Sequence, residues 1–280
     1  MPTTAGTASV SALADVHDAA RLRPYLADLW SRRAYISYVS ASELRSRQVN
    51  TVLGNLWHLL NPILTIAVYF LIFGLLLDTT RGVDNYLLFL TTGVFIFAAT
   101  QKATIAGAKS IVGNAGLIKS IKFPRALLPV TSTLTETLAS LPTFALLFVV
   151  AFLTGEPPHW QWLMFPAVVL LQVLFNLGTA FVAARATTHF RDTTQILPFV
   201  FRLLLYASGV IFSAEAYADS EWWFLFVLNP MYCFVELGRW SVLGDPTPGS
   251  VLASAVIWTA VTLVIGFLWF RAAEERYARD

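Results

Sequence analysis

The chain has 280 residues, 56% hydrophobic and 13% charged, with mean hydropathy +0.64, whereas a soluble domain is roughly a quarter charged. This excludes an ordinary soluble enzyme and specifies an integral membrane protein, because several apolar windows approach the ~20 residues that a bilayer crossing needs. The formal net charge of +2 says little as a sum; placement carries the information in a membrane protein, and no nucleic-acid partner is expected.

The N-terminal stretch Met1 to Asp18 is rich in Ala, Ser and Thr and lacks a basic segment followed by an apolar one. It is therefore no signal peptide, and residues 1–27 are expected to form a disordered cytoplasmic tail. From 28 to 59, Arg32, Arg33, Arg45 and Arg47 interleave with Tyr35, Ile36, Tyr38 and Val39, and apolar residues recur at Val49, Val52, Leu53, Leu56, Trp57 and Leu60. Spacing by three and four describes a helix lying in the membrane interface, Arg towards phosphate and Leu and Trp towards acyl chains; a basic flank that merely orients the first span is the alternative.

Residues 60–270 are read as an all-α transmembrane domain of six spans, at Leu60–Leu77, Tyr86–Ala106, Ala126–Leu153, Trp160–Ala184, Gln195–Phe212 and Val251–Phe270, followed by a short tail, 271–280. The apolar stretch Trp222 to Val242 is broken by Asn229-Pro230 and holds Glu236 and Arg239. A re-entrant outer hairpin suits it better than a span, since irregular backbone at that depth must be shielded by protein or face water. One side of the membrane then receives Arg21, Arg23, Arg32, Arg33, Arg45, Arg47, Lys109, Lys119, Lys122, Arg125, Arg185, Arg191, Arg271, Arg276 and Arg279; the other has only Arg81 and Arg239 among many acids. The positive-inside rule places both termini in the cytoplasm. Trp160, Trp162, Trp222, Trp223 and Trp240 fall near the outer surface, as an interfacial belt or as a sugar-stacking rim.

Three features carry functional weight. The stretch "NAGLIKSIKFPRALLP", Asn114 to Pro129, is a cytoplasmic loop in which Leu117, Ile118, Ile121 and Phe123 form one apolar edge of a short helix, Lys119 and Lys122 face outward, and Pro124 stops it. It is either a knob for a groove on another protein or a solvated basic loop. In "HFRDTTQILPFVFR", Arg202 lies about ten residues beyond Asp192, roughly 16 Å at helical rise; it either faces a bundle interior or snorkels to the surface. Glu136 lies inside the third span among Thr and Ser residues, which line a passage or bond across helices. The lone Cys233 excludes an intrachain disulfide, the four histidines show no metal-ligand spacing, and no metal or cofactor is expected on this chain.

Several segments resemble one family. "RQVNTVLGNLWHLLNPILTIAVYFLIFG" is similar to the segment leading into the first span of ABC-2 type permeases, above all polysaccharide and teichoic-acid exporters, through Thr51, Leu53, Gly54, Trp57 and Pro62. The loop matches through Asn114, Leu117, Ile118, Lys119, Phe123, Pro124, Arg125 and Pro129, and "FRDTTQILPFVF" and "LNPMYCFVELGR" through Phe190, Arg191, Asp192, Pro198, Asn229, Pro230 and Arg239.

The resemblance implies a homodimer paired with two copies of a separate ATPase that holds ATP and Mg, a coupling helix at Asn114–Arg125 including Lys122, and a gate helix before the first span. It further implies export of a polyprenyl-pyrophosphate-linked glycan: a galactan cell-wall precursor first, otherwise O-antigen or teichoic acid. Arg32, Arg33, Arg45, Arg47 and Trp57 are candidates on the gate helix for the pyrophosphate, and Glu136, Arg202, Trp222 and Trp223 for the channel. Consistently, no G-x-x-x-x-G-K-[ST] phosphate loop occurs; "GAKS" at Gly107 to Ser110 lacks the spacing. The competing expectations are a drug or small-lipid exporter, a membrane-embedded transferase on lipid-linked sugars, and a passive scaffold.

Overall fold

The structure is a computed structural model that describes residues 22–46, 57–77, 80, 82–121, 123–214 and 223–274. Among them every regular element is helical. Helices α1 (Leu22–Ser31) and α2 (Arg33–Ser46) precede α3 (Trp57–Tyr69), which widens into a π-helical stretch over Phe70–Leu76. Then come α4 (Tyr86–Ser110), the short α5 (Ala115–Ser120), α6 (Leu127–Leu153), α7 (Phe165–His189) and α8 (Thr193–Ala207). The last described elements are α9 (Trp223–Leu228), α10 (Pro230–Leu243) and α11 (Gly249–Arg271).

The local sequence sets these boundaries. The Asn85 side chain accepts from the Leu88 N–H at 3.3 Å and so starts α4, as an N-cap residue should. Asn229 caps α10 in the same way through the Met231 N–H at 3.0 Å, Pro230 occupies the first turn, where its missing N–H costs nothing, and left-handed Gly244 (φ 78°) ends it.

Among the described residues four helical segments are long and apolar enough to cross a membrane: α4, α6, α7 with its leading turn from Trp160, and α11. The other two expected spans are shorter, Leu60–Leu76 and Thr193–Ala207. Helix α8, at about 23 Å, stops before the expected Phe212, because the Gly209 and Val210 carbonyls leave the helix to accept hydrogen bonds from Arg239. Helix α4 runs past the expected Ala106 to Ser110, which puts Lys102 and Lys109 on one helix. The described residues before α3, 22–46, form two helices broken at Arg32, and α1 begins at Leu22, inside the stretch expected to be a disordered tail.

Helix α4 is the centre of the bundle, enclosed by α6, α7 and α10, and most of its length is buried. A second, smaller core lies at the end of the bundle that carries α1, α5 and the end of α11. There Ile111, Ile118, Ala126, Phe181, Phe270 and Ala273 meet, with Tyr25, Phe123 and Phe267 against them. Small residues allow the closest helix crossings, as they do in other membrane bundles. A Cβ on Gly178 would lie 2.5 Å from the Thr262 carbonyl carbon, and one on Gly266 2.6 Å from the Gly178 oxygen. Gly178→Val should therefore part α7 from α11 at a cost of about 1–3 kcal/mol, read as earlier thermal aggregation in detergent. An unchanged aggregation temperature would show that the crossing is looser than drawn.

Candidate functional site

A cavity of about 640 Å³, with several charged side chains in its wall, opens between α2, α4, α6 and the α5 segment. Helix α2 forms its wall because it is fastened along α6: the Ser40 hydroxyl donates to the Thr131 carbonyl at 3.1 Å and the Thr135 hydroxyl to the Glu43 carboxylate at 3.3 Å. Ile36 and Ser40 are the buried face of α2. Into the cavity come Tyr35 and Glu43 from α2, Gln101, Lys102 and Lys109 from α4, and Glu136 from α6, while Leu117 of α5 lies at its rim. Glu136, expected from the sequence, is 8% exposed and forms part of this wall. Lys102 was not singled out in the sequence; its signal was a lysine inside an apolar run, two helical turns from Lys109 on the same face.

Helix α5 turns only part of its apolar edge outward. Ile118 is 6% exposed and sits in the smaller core, with Phe123 packed beside it, while Ile121 is 56% exposed. Val112 and Lys119 are also exposed. Arg125 points back into the protein, where its Nη1 is buried without a hydrogen-bond partner among the described residues. At this place the turn that leads into α6, a helix with no acidic residue in its first turn, takes its acceptors from elsewhere in the chain. The Arg125 N–H donates to the Glu274 carboxylate at 2.7 Å, the Ala126 N–H to the Tyr25 hydroxyl at 3.3 Å, and that hydroxyl donates to Glu274 at 3.0 Å. Burial pushes the Glu274 carboxyl above the ordinary carboxylate range against the pull of these donors. Burial also raises the Tyr25 phenol, with the adjacent Glu274 charge acting in the same sense.

The remaining candidates are scattered. Arg32 pairs with Asp28 at 3.0 Å on an exposed surface, an arrangement worth little. Arg33 donates to the Trp30 carbonyl at 3.3 Å and lies over the Trp30 ring, and Arg45 is exposed in the last turn of α2. Trp57 opens α3 at the surface. Arg202 is exposed on α8, its guanidinium 5.6 Å from the Phe199 ring, and does not line the cavity. Trp223 packs edge-on to Tyr232. Arg47, Lys122 and Trp222 lie outside the described residues.

At the opposite end of the bundle Arg239 is 1% exposed. It reaches Glu236 at 2.6 Å and the Gly209 and Val210 carbonyls at 2.9 and 3.0 Å, over the face of Phe89. Asp84, Glu156, Glu236 and Asp245 line a pocket of about 320 Å³ there, and burial raises the Asp245 carboxyl despite nearby Arg239. Of the expected aromatic belt, Trp160 is exposed against Trp240, while the Trp162 indole donates to the Val242 carbonyl at 3.0 Å and packs on Phe148.

A multi-pass helical bundle with a charged cavity let into one end has the build of a membrane permease. The chain belongs to the ABC-2 type transporter family, whose profile matches residues 35–243. It is 25% identical over 242 residues to the O-antigen export system permease protein RfbA of Klebsiella pneumoniae, covering 86% of this chain and 92% of that protein. It is 27% identical over 205 residues to the protein of the same name from Myxococcus xanthus, covering 73% and 78%. It is also 27% identical over 240 residues to the polysialic acid transport protein KpsM of Escherichia coli, covering 83% and 91%.

Proposed function

We propose that this chain is the membrane subunit of an exporter that moves a polyprenyl-pyrophosphate-linked polysaccharide out of the cytoplasm, driven by a separate ATPase subunit that carries ATP and Mg. The observation that carries this reading is the alignment, over most of both chains, with permeases named for O-antigen export and polysialic acid transport. A galactan cell-wall precursor is the first candidate cargo, with O-antigen and teichoic acid next.

In this reading six segments cross the membrane, both termini are cytoplasmic, the 640 Å³ cavity is the cytoplasmic vestibule, and α9 and α10 form the re-entrant outer hairpin. Residues 28–59 are the gate-helix region, with Arg32, Arg33, Arg45 and Arg47 as candidates for the pyrophosphate. A homodimer is supported by α8. Its exposed stripe of Ile196, Phe199, Leu203 and Tyr206 also carries Arg202, and an arginine at that depth belongs on a protein or water-filled face and not on lipid. The second copy supplies that face, and two ATPase subunits dock on the two coupling segments.

Depletion of the chain in its native host, followed by analysis of extracted lipids, tests the function directly. The expected result is build-up of one polyprenyl-pyrophosphate glycan with loss of its mature product outside, which also identifies the cargo. Unchanged lipids would turn the assignment to a small-amphiphile exporter.

The docking face has its own test. Ile121 is the large apolar side chain that α5's end offers outward, so Ile121→Glu should remove a contact worth at least about 2 kcal/mol. ATPase subunit recovered with the permease should fall on the order of thirtyfold. Full recovery with Ile121→Glu would place the ATPase contact elsewhere.

A further inference from the structure

Three distant parts of the chain meet at one carboxylate. The turn at Pro124 to Ala126 leads from the α5 segment into α6: the Leu127 and Leu128 N–H groups bond to the Pro124 and Arg125 carbonyls at 3.0 and 3.1 Å, whereas the Arg125 and Ala126 N–H groups ahead of them need acceptors from elsewhere. Glu274, which follows α11, and Tyr25, on α1, provide them: Arg125 N–H to Glu274 at 2.7 Å, Ala126 N–H to Tyr25 at 3.3 Å, and Tyr25 O–H to Glu274 at 3.0 Å. A carboxylate at a helix N-terminus is also favoured by the helix dipole.

The closure is built and not incidental. The Tyr25 ring is held by Phe267, centroids 6.0 Å apart, and by the Arg271 guanidinium 5.1 Å above it, both from α11. Ala126, Ile118 and Ala273 share the core directly beneath. The three hydrogen bonds therefore close a triangle of α1, α6 and α11 around the point where the α5 segment re-enters the bundle.

We propose that Glu274 and Tyr25 form a transmission latch, in which Glu274 is a positioning residue that makes α1 and α11 move with the coupling segment. This rests on the reading of that segment as the ATPase contact. Without the latch, displacement of α5 would bend the chain at Phe123-Pro124 and be absorbed there; with it, the same displacement must drag the ends of α1 and α11, since the amides of Arg125 and Ala126 are tied to both. Tyr25 accepts one bond and donates the other, so its hydroxyl alone links the α1 side, whereas Glu274 holds both partners.

The experiment compares hydrogen exchange in the full transporter, permease with its ATPase, with and without non-hydrolysable ATP, for the parent protein, Glu274→Ala, Glu274→Gln and Tyr25→Phe. In the parent protein nucleotide is expected to change exchange in three segments together: 115–126, 22–29 and 267–274. In Glu274→Ala the response should remain at 115–126, be lost from 267–274 and weaken at 22–29, where only the Ala126 N–H to Tyr25 bond is left, and export per ATP hydrolysed should fall about tenfold, within the range such relay residues show. Glu274→Gln, which keeps an acceptor for the Arg125 N–H, should restore most of the response, and Tyr25→Phe should uncouple 22–29 while sparing 267–274.

All three segments responding in Glu274→Ala as in the parent protein would overturn the latch. If Glu274→Ala does not accumulate, Tyr25→Phe decides alone, because it removes one hydroxyl and leaves the ring packing in place. No response at 115–126 in the parent protein would instead overturn the ATPase contact, and the latch with it, an outcome distinct from failure of the latch alone.

Discussion

Arg239→Met should remove most of the folded protein from the membrane. The side chain is 1% exposed and serves four partners at once: the Glu236 carboxylate, the Gly209 and Val210 carbonyls and the Phe89 ring. Breaking one side of a buried ion pair costs about 3–5 kcal/mol, because the remaining charge is stranded. The two carbonyls raise the damage further, since they belong to the backbone just past α8 and lose the donor they share. Pairing Arg239→Met with Glu236→Gln should recover only the part due to the carboxylate. Arg239→Lys should fall between, as an ammonium lacks the planar fork that reaches a carboxylate and carbonyls while stacking on a ring. Thermal unfolding and yield in lipid or detergent check the series, and full stability of Arg239→Met would mean that the α8 to α10 junction is held by apolar packing alone.

That junction also explains what was legible in the sequence. The long apolar spans read correctly to within a few residues, because hydrophobic length and cap residues such as Asn85 and Asn229-Pro230 are local signals. Gln195–Phe212 did not, because the helix ends where Arg239, about thirty residues later, takes its carbonyls. Glu236 and Arg239 counted against a membrane segment when read singly; at a spacing of three they neutralise each other.

At the candidate site the same limit applies. Asn114 to Arg125 was visible as a short basic helix stopped by proline, yet which of its apolar residues turn inward depends on Phe181 and Phe270, far along the chain. Ile118 is buried and Ile121 is not, a division that local periodicity does not contain. Tyr25 and Glu274 lay in stretches expected to be tails, and only the tertiary contact with α6 shows why they matter.

The largest expected effect on transport falls on Lys102. It projects into the cavity from α4, about 12 Å above the end of that helix. Among the described residues its ammonium has no ion-pair or hydrogen-bond partner. The residue is exposed to that open space, where water or a bound anion compensates its charge, and a lysine facing a wet cavity within a span is a functional candidate by default. A lipid-linked pyrophosphate entering the vestibule would supply the anion, and a charge-assisted hydrogen bond of this kind is worth about 1.5–3 kcal/mol. Lys102→Met keeps the aliphatic stem and deletes the charge. Export per permease in the membrane should then fall on the order of tenfold to a hundredfold, with the ATPase subunit still bound and basal hydrolysis retained. Lys102→Arg should keep a substantial share of export, because the charge is preserved within reach of the same space. Cargo titrated into proteoliposomes separates two roles: a raised half-saturating concentration in Lys102→Met places the lysine at the cargo's resting position, and a lowered maximal rate places it at the barrier the cargo must pass. Export equal to the parent protein would remove Lys102 from the path and leave the cavity as a hydrated vestibule whose lysine is compensated by water.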